Sequence, residues 1–246
     1  WLRLRNLTAF LIGCTAIGCA GRSQTLSPAH AIPPEAVSNV ANPGERFYVL
    51  VFGSERPSRR PRFTHTWATV VKTVDTPEGD SKIVENLTIS WMPEDLEIQP
   101  WRFTPEVGTN LGLNETMRMA LGNREQIFMW GPYEVEPRFY RRFALQKQYL
   151  ESGQVGYQCI DTVGVGADGS GCDCIHALTD MDPEFDRGYY PLRRFGEVGS
   201  RFIVEQLFER SILLNGDTHA WLEGPLGLDC YRIRHRTYRK RCFGGR

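Results

Sequence analysis

"RFTHTWATVVKTV", Arg62 to Val74, alternates in part between polar and apolar side chains and is rich in Thr and Val, so it reads as a strand. "TPEGDS" (Thr76–Ser81) follows as a turn, and "KIVENLTISW" (Lys82–Trp91) reads as its hairpin partner. Upstream, "FYVLVFG" (Phe47–Gly53) is a short apolar run suited to a buried strand.

Downstream the pattern changes period. "NETMRMAL" (Asn114–Leu121) predicts a short helix with Asn114 as its cap, and "EQIFMWGPYEVEP" (Glu125–Pro137) a strand broken at Gly131-Pro132. Pro137 then opens the best helix, "RFYRRFALQKQYLES" (Arg138–Ser152), with Gly153 as its stop. "QVGYQCIDTV" (Gln154–Val163) reads as a strand and "GVGADGSG" (Gly164–Gly171) as a loop. "CIHALTDM" (Cys174–Met181) is helical in composition, and "SRFIVEQLFERSILLN" (Ser200–Asn215) predicts a second amphipathic helix ended by Gly216. A strand or two is expected around "CYRIRHRTY" (Cys230–Tyr238). The mixture predicts one α+β domain over 47–246 with a mainly antiparallel sheet and packed helices.

Hydrophobic residues make up 41% of the 246 and aromatic residues 11%, enough for an ordinary core. Lys and Arg total 29, as do Asp and Glu, so the formal charge is zero and no nucleic-acid partner is indicated. The basic runs Arg56–Arg62 and Arg232–Arg241 read as solvated surface; the second lies beside Tyr231, Tyr238 and Phe243 and leaves room for a weak anionic contact.

At the start, Arg3 and Arg5 precede "LTAFLIGCTAIGCAG" (Leu7–Gly21), the pattern of a secretory signal. "LIGC" (Leu11–Cys14) resembles the lipobox of bacterial lipoproteins, with "AIGC" ending at Cys19 a weaker second match. That resemblance implies lipidation at Cys14, a membrane partner through the lipid anchor, and an exported chain in the periplasm or cell envelope. Segment 1–20 is then the signal, and 21–46, rich in Ser, Pro and Ala, a flexible tether.

Export leaves five cysteines for the body: Cys159, Cys172, Cys174, Cys230 and Cys242. In an oxidising compartment an odd number leaves one thiol over. Cys159 and Cys172 flank the glycine loop, and Cys230 and Cys242 flank the last predicted hairpin, so both pairs are disulfide candidates. Cys174 remains. "SGCDCIHALTDMDP" (Ser170–Pro183) sets it at the start of a helical run, where the dipole and unpaired N–H groups lower a thiol's pKa and make an oxyanion site. Zinc held by Cys159, Cys172, Cys174 and His176 is the rival, although the spacing departs from Cys-x-x-Cys frameworks; no cofactor and no metal is assigned.

A nucleophilic thiol needs a base. His30 lies in the tether and His235 in a basic run, while His176 points off another side of the helix. His65 in "FTHTWATVV" and His219 in "DTHAWLEG" compete. A His strand first and a Cys helix later resembles the circularly permuted papain-like group, which includes acyltransferase-like enzymes and envelope cysteine hydrolases. The likeness rests on "FTHTWATVVK" and "DCIHAL" and spans about Phe47 to Asp182. It implies Cys174 as nucleophile and His65 as base, with Asn86, Thr88 or Ser90 orienting the ring and Ser90 standing in the working triad. The implied activity is hydrolysis or acyl transfer on an amide or ester, with a peptide or lipid acyl substrate. Asp173 stands where that group usually has Asn. The alternatives are a non-catalytic envelope lipoprotein, for binding or structure, and a zinc-stabilised binding module.

Overall fold

The computed structural model describes residues 32–33, 36–161, 169–186 and 195–238. Cys14, Cys19, His30 and Cys242 lie outside the described residues. The fold is α+β, with helices on a mainly antiparallel mixed sheet.

Strand β1 (Glu45–Glu55) is the centre. It pairs along its whole length with β2 (Thr64–Asp75), from Glu45↔Val74 to Glu55↔Thr64. β2 pairs in turn with β3 (Ser81–Ile89), whose outward positions are exposed because it forms the sheet edge. β4 (Trp91–Pro93) leaves the sheet to pair with β5 (Gly108–Asn110). On the other side of β1 lies β6 (Gln126–Val135), also antiparallel.

The expected break at Gly131-Pro132 is a bulge within β6. Register moves from Val49↔Tyr133 to Val51↔Trp130, so one strand carries extra residues there. Gly131 has φ +86°, and a Cβ on it would lie 2.6 Å from Val49 O. Beyond this kink the far edge of β6 is shared. β9 (Leu213–Thr218) pairs antiparallel at Tyr133 and Val135, and β10 (Ile233–Arg236) pairs parallel over Ile127–Trp130. β7 (Gly156–Tyr157) and β8 (Gly171–Cys172) form a separate parallel pair.

Because successive side chains on a strand point to opposite faces, β1 feeds two cores. Val49 and Val51 join Ala68 and Val70 under helices α2 (Pro137–Leu150) and α4 (Glu197–Glu209), through Phe139, Phe143, Ile203 and Leu207. Tyr48, Leu50 and Phe52 join Trp67 and Met129 under α1 (Leu113–Gly122) and the C-terminal Leu222, Leu226 and Leu228. The apolar run of β1 is thus continuous because both faces are covered.

Several local expectations shift. Helix α1 begins at Leu113, not after Asn114: Gly112 N–H donates to Glu115, and Asn114 instead accepts from Tyr231. The second long helix ends at Glu209, since Ser211 adopts φ +56° and Leu213 turns into β9 to complete the edge of β6. The end of the expected tether is docked. Arg141 donates to Ser38 O and Val40 O, Arg138 N–H to Asn39 Oδ1 at 3.1 Å, and buried Arg142 to Ile32 O at 2.5 Å. No helix among the described residues is long and apolar enough to cross a membrane.

Helix α4 approaches β1 closely at one point. Ser200 Oγ donates within 2.8 Å of Phe52 O and also contacts Thr66 Oγ1 at 3.0 Å. A Cβ on Gly53 would fall 2.4 Å from Ser200 Oγ. Gly53→Ala is therefore expected to destabilise the fold by about 1–3 kcal/mol in urea unfolding, as overpacked interiors do. Unchanged stability would mean that α4 does not sit this close to β1.

Candidate functional site

Two of the three residues expected to act together are in contact. His65, on β2, stacks on Trp67 (centroids 5.4 Å apart, planes at 17°), and Trp67 stacks on Phe52. His65 Nε2 lies 2.8 Å from Ser90 Oγ. Ser90 is held in turn by its backbone N–H donating to Asn110 Oδ1 at 2.7 Å, while Asn110 Nδ2 donates to Thr88 O. The ring is fully buried and its Nδ1 has no hydrogen-bonding partner. Burial alone drives its pKa down to about 3, so it is a neutral imidazole.

Cys174 does not complete the set. Its side chain belongs to the core beneath α2 and α4, whereas His65 stacks in the core on the opposite face of the sheet. The thiol's hydrogen-bonding contact is with the backbone of Thr66, and no hydrogen bond joins it to His65. Thr66 itself turns its hydroxyl to Ser200 of α4. Burial, then the neighbouring Asp173 carboxylate, push the Cys174 thiol well above the ordinary range, so it stays protonated at neutral pH.

The reason lies in how the helix starts. Asp173 Oδ1 accepts the backbone N–H groups of Ile175 and His176, each at 2.7 Å, and Asp173 O accepts from Ala177 N–H. By capping geometry Asp173 is the N-cap of α3 (His176–Thr179) and Cys174 the first residue inside it. The cap occupies the N–H groups that an oxyanion would need. It also adds a negative charge beside the thiol, opposing the effect of a helix terminus.

The expected Cys159–Cys172 bridge is corrected as well. Cys159, Cys172, Cys174 and Cys230 are all thiols. Cys172 is registered opposite Tyr157, two residues before Cys159, so the two do not form a cross-strand pair, and Cys172 Sγ donates to Asp173 O at 3.3 Å. Cys159 interacts with the Tyr157 hydroxyl, and its thiol is pushed up to about 12, first by burial and then by Asp173. Cys230, exposed, donates to Gly227 O at 3.0 Å; its expected partner Cys242 is outside the described residues.

His176 carries the densest cluster of titratable groups. Its Nδ1–H donates to Asp161, 2.7 Å from both carboxylate oxygens, and lies 3.9 Å from Asp173 Oδ2. Asp161 also accepts the backbone N–H of Asp173 at 3.2 Å. Burial opposes the charged ring, but Asp161, Asp173 and Asp180 outweigh it and raise its pKa to about 10. One ligand atom from each of Asp161, Asp173 and His176 falls within 4.8 Å of the others, a set that fits a cation if the imidazole releases its proton. The sequence suggested thiols around His176, and carboxylates stand there instead. Nothing in the sequence joins Asp161 to His176, fifteen residues on. The other competitor, His219, packs edge-on against Tyr48 at 4.9 Å.

Three cavities among the described residues lie elsewhere. One of about 610 Å³ is bounded by Glu94, Asp95, Arg102 and Glu106, one of about 350 Å³ by Asn86, Asn114 and Pro225, and one of about 440 Å³ by Arg60, Arg62, Glu97 and Trp101. None of the three is lined by a cysteine or a histidine. No protein-family model, curated protein or solved structure matches the chain.

The two buried histidines set opposite limbs of a stability profile. His65 falls from 6.5 to about 3 on folding, so stability is lost as pH drops below 6.5. His176 rises from 6.5 to about 10, so its contribution is complete below 6.5 and is lost as pH climbs toward 10. Urea titrations are expected to peak near pH 6.5, each limb steepening toward about 1.4 kcal/mol per pH unit. His65→Gln should flatten the profile between pH 6.5 and 4.5, and His176→Gln between 6.5 and 9. A wild-type profile flat across pH 5–9 would contradict both assignments.

Proposed function

We propose that the chain is a non-catalytic binding module of the cell envelope, held at the membrane by a lipid on Cys14. The observation that carries this reading is the burial of the reactive groups, with thiol and imidazole on opposite faces of the sheet. Cys159, Cys172, Cys174, His65 and His176 are buried in packed interior, and the three cavities described above are lined by none of them. A thiol hydrolase of permuted papain-like type needs a thiolate facing substrate and an imidazole in reach of it. Here the thiol is protonated, its helix start is capped by a carboxylate, and the imidazole on β2 is neutral and bonded to Ser90. The alternative of a hydrolase or acyltransferase acting on an amide or ester is accordingly the weaker reading.

Two experiments test this. Brief iodoacetamide treatment of the folded chain, followed by peptide mapping, should modify Cys230 quickly and Cys159, Cys172 and Cys174 only after unfolding. Rapid modification of Cys174 at pH 7 would restore thiol chemistry and sink the binding-module reading. For the anchor, detergent-phase partitioning should carry the wild-type chain into the detergent and leave Cys14→Ser in the aqueous phase, because the several acyl chains of a lipoprotein give stable attachment where one does not. Aqueous partitioning of both would remove the lipid anchor.

A further inference from the structure

The binding-module reading gains a specific site at the tip of the β1–β2 hairpin. We propose that the 440 Å³ groove between the connection 56–63 and the segment after β4 binds a carboxylated glycan strand, with Trp101 as the stacking platform and Arg60 and Arg62 as the carboxylate ligands.

The arginines of this connection divide into two kinds. Arg56 is committed inward: its Nε donates to Asn123 O at 2.5 Å and its guanidinium lies 3.6 Å over the Phe63 ring. Arg59 is paired with Glu55 at 3.1 Å. Arg60 and Arg62 line the groove and are exposed; the Arg62 guanidinium lies 4.8 Å over the Phe63 ring, and neither arginine forms an ion pair with an acidic side chain among the described residues. Pro61 lies between them at the start of a short 3-10 turn, Pro61–Phe63, which fixes the spacing of the two guanidinium stems. Two forked donors held on a stiff turn match planar carboxylates better than a diffuse anionic surface.

The opposite wall carries the apolar contribution. Trp101 is 70% exposed, and Phe103 two residues on is 54% exposed. Large aromatic rings left in water beside a concave site offer contact area at little conformational cost. An indole face suits the apolar C–H face of a sugar ring. Pro100 stiffens this wall as well, while Gln99 and Glu97 supply a mixed set of donors and acceptors for hydroxyl groups. The volume falls in the ordinary range for small-ligand sites.

The same chemistry argues against two other anionic partners. A nucleic acid needs a track of cations along successive phosphates, and this groove offers two arginines beside Glu97 in a chain of zero net charge. A lipid surface is flat, whereas the site is concave. Sparse charge, a stacking ring and mixed polar groups fit a glycan whose carboxylates are spaced along a sugar backbone.

Affinity electrophoresis through polygalacturonate, and co-sedimentation with isolated peptidoglycan, test the proposal on the full chain. Wild type should be retarded or sedimented by at least one of these. Trp101→Ala should weaken the apparent affinity at least about tenfold with unchanged circular dichroism, since the side chain is mostly in solvent. Arg60→Gln with Arg62→Gln should lose the carboxylated polymer and the salt dependence of binding. The proposal is overturned if neither polymer binds, or if both variants bind as wild type does. It is equally overturned if the chain instead floats with phosphatidylglycerol vesicles or shifts single-stranded DNA without binding either glycan. These outcomes are independent of thiol labelling, so loss of the glycan site leaves the binding-module reading to stand or fall on Cys174.

Discussion

Pairing on both edges and covering on both faces leave β1 buried beyond its first two residues. A strand in that position has its backbone groups satisfied by β2 and β6 and its side chains divided between two cores, so every neighbour is fixed relative to it. The close approach at Gly53 brings α4 onto one face, and the kink at Gly131 lets β6 give one part of its outer edge to β9 and another to β10. Both adjustments depend on a missing side chain at a point of backbone contact. The sheet is therefore a rigid partition, and a residue's face decides which chemistry it can join.

That partition accounts for the separation of Cys174 and His65. Strand alternation sends His65 and Thr66 to opposite faces, and the segment carrying Cys174 packs on the Thr66 side. The order and approximate spacing of a Cys-His pair are present in the chain, but one position of parity along β2 undoes the pair. The aspartate at 173 completes the change. Where the resembling group has a neutral amide, this chain has a carboxylate that caps the helix and contributes to holding the His176 ring in its charged form. The field at the helix start is used to bind an internal anion, and little of it remains to ionise a thiol.

The long elements were legible because they obey local rules. β1, β2, β3 and α2 each carry a local signal, an apolar run, a partial alternation or a helical period, bounded by Pro, Gly or a turn, and the structure keeps them nearly as read. The helix over Ser200–Asn215 was overextended because Ile212 and Leu213 continue an apolar pattern equally suited to a strand, and only the open edge of β6 selects the strand. His65 with Ser90 was readable as neighbours on adjacent strands. The Asp161–His176 pair was not, because it joins residues through a loop whose closure no propensity encodes. The Cys159–Cys172 pairing failed from a similar blindness: flanking a loop in sequence says nothing of register, and Cys172 is registered opposite Tyr157.

Buried charge and exposed aromatic surface make opposite demands on free energy, and the chain meets them at opposite locations. An imidazolium in the interior is tolerable only while carboxylates compensate it, which ties His176 to structure and withdraws it from exchange with solvent. Trp101 gains nothing for folding by standing in water, and Arg60 and Arg62 beside it have no acidic partner among the described residues. Features that do not lower the energy of the isolated fold are the ones whose energy can be lowered by a ligand. On that criterion the titratable interior belongs to stability, and the groove at the hairpin tip is where binding free energy remains to be gained.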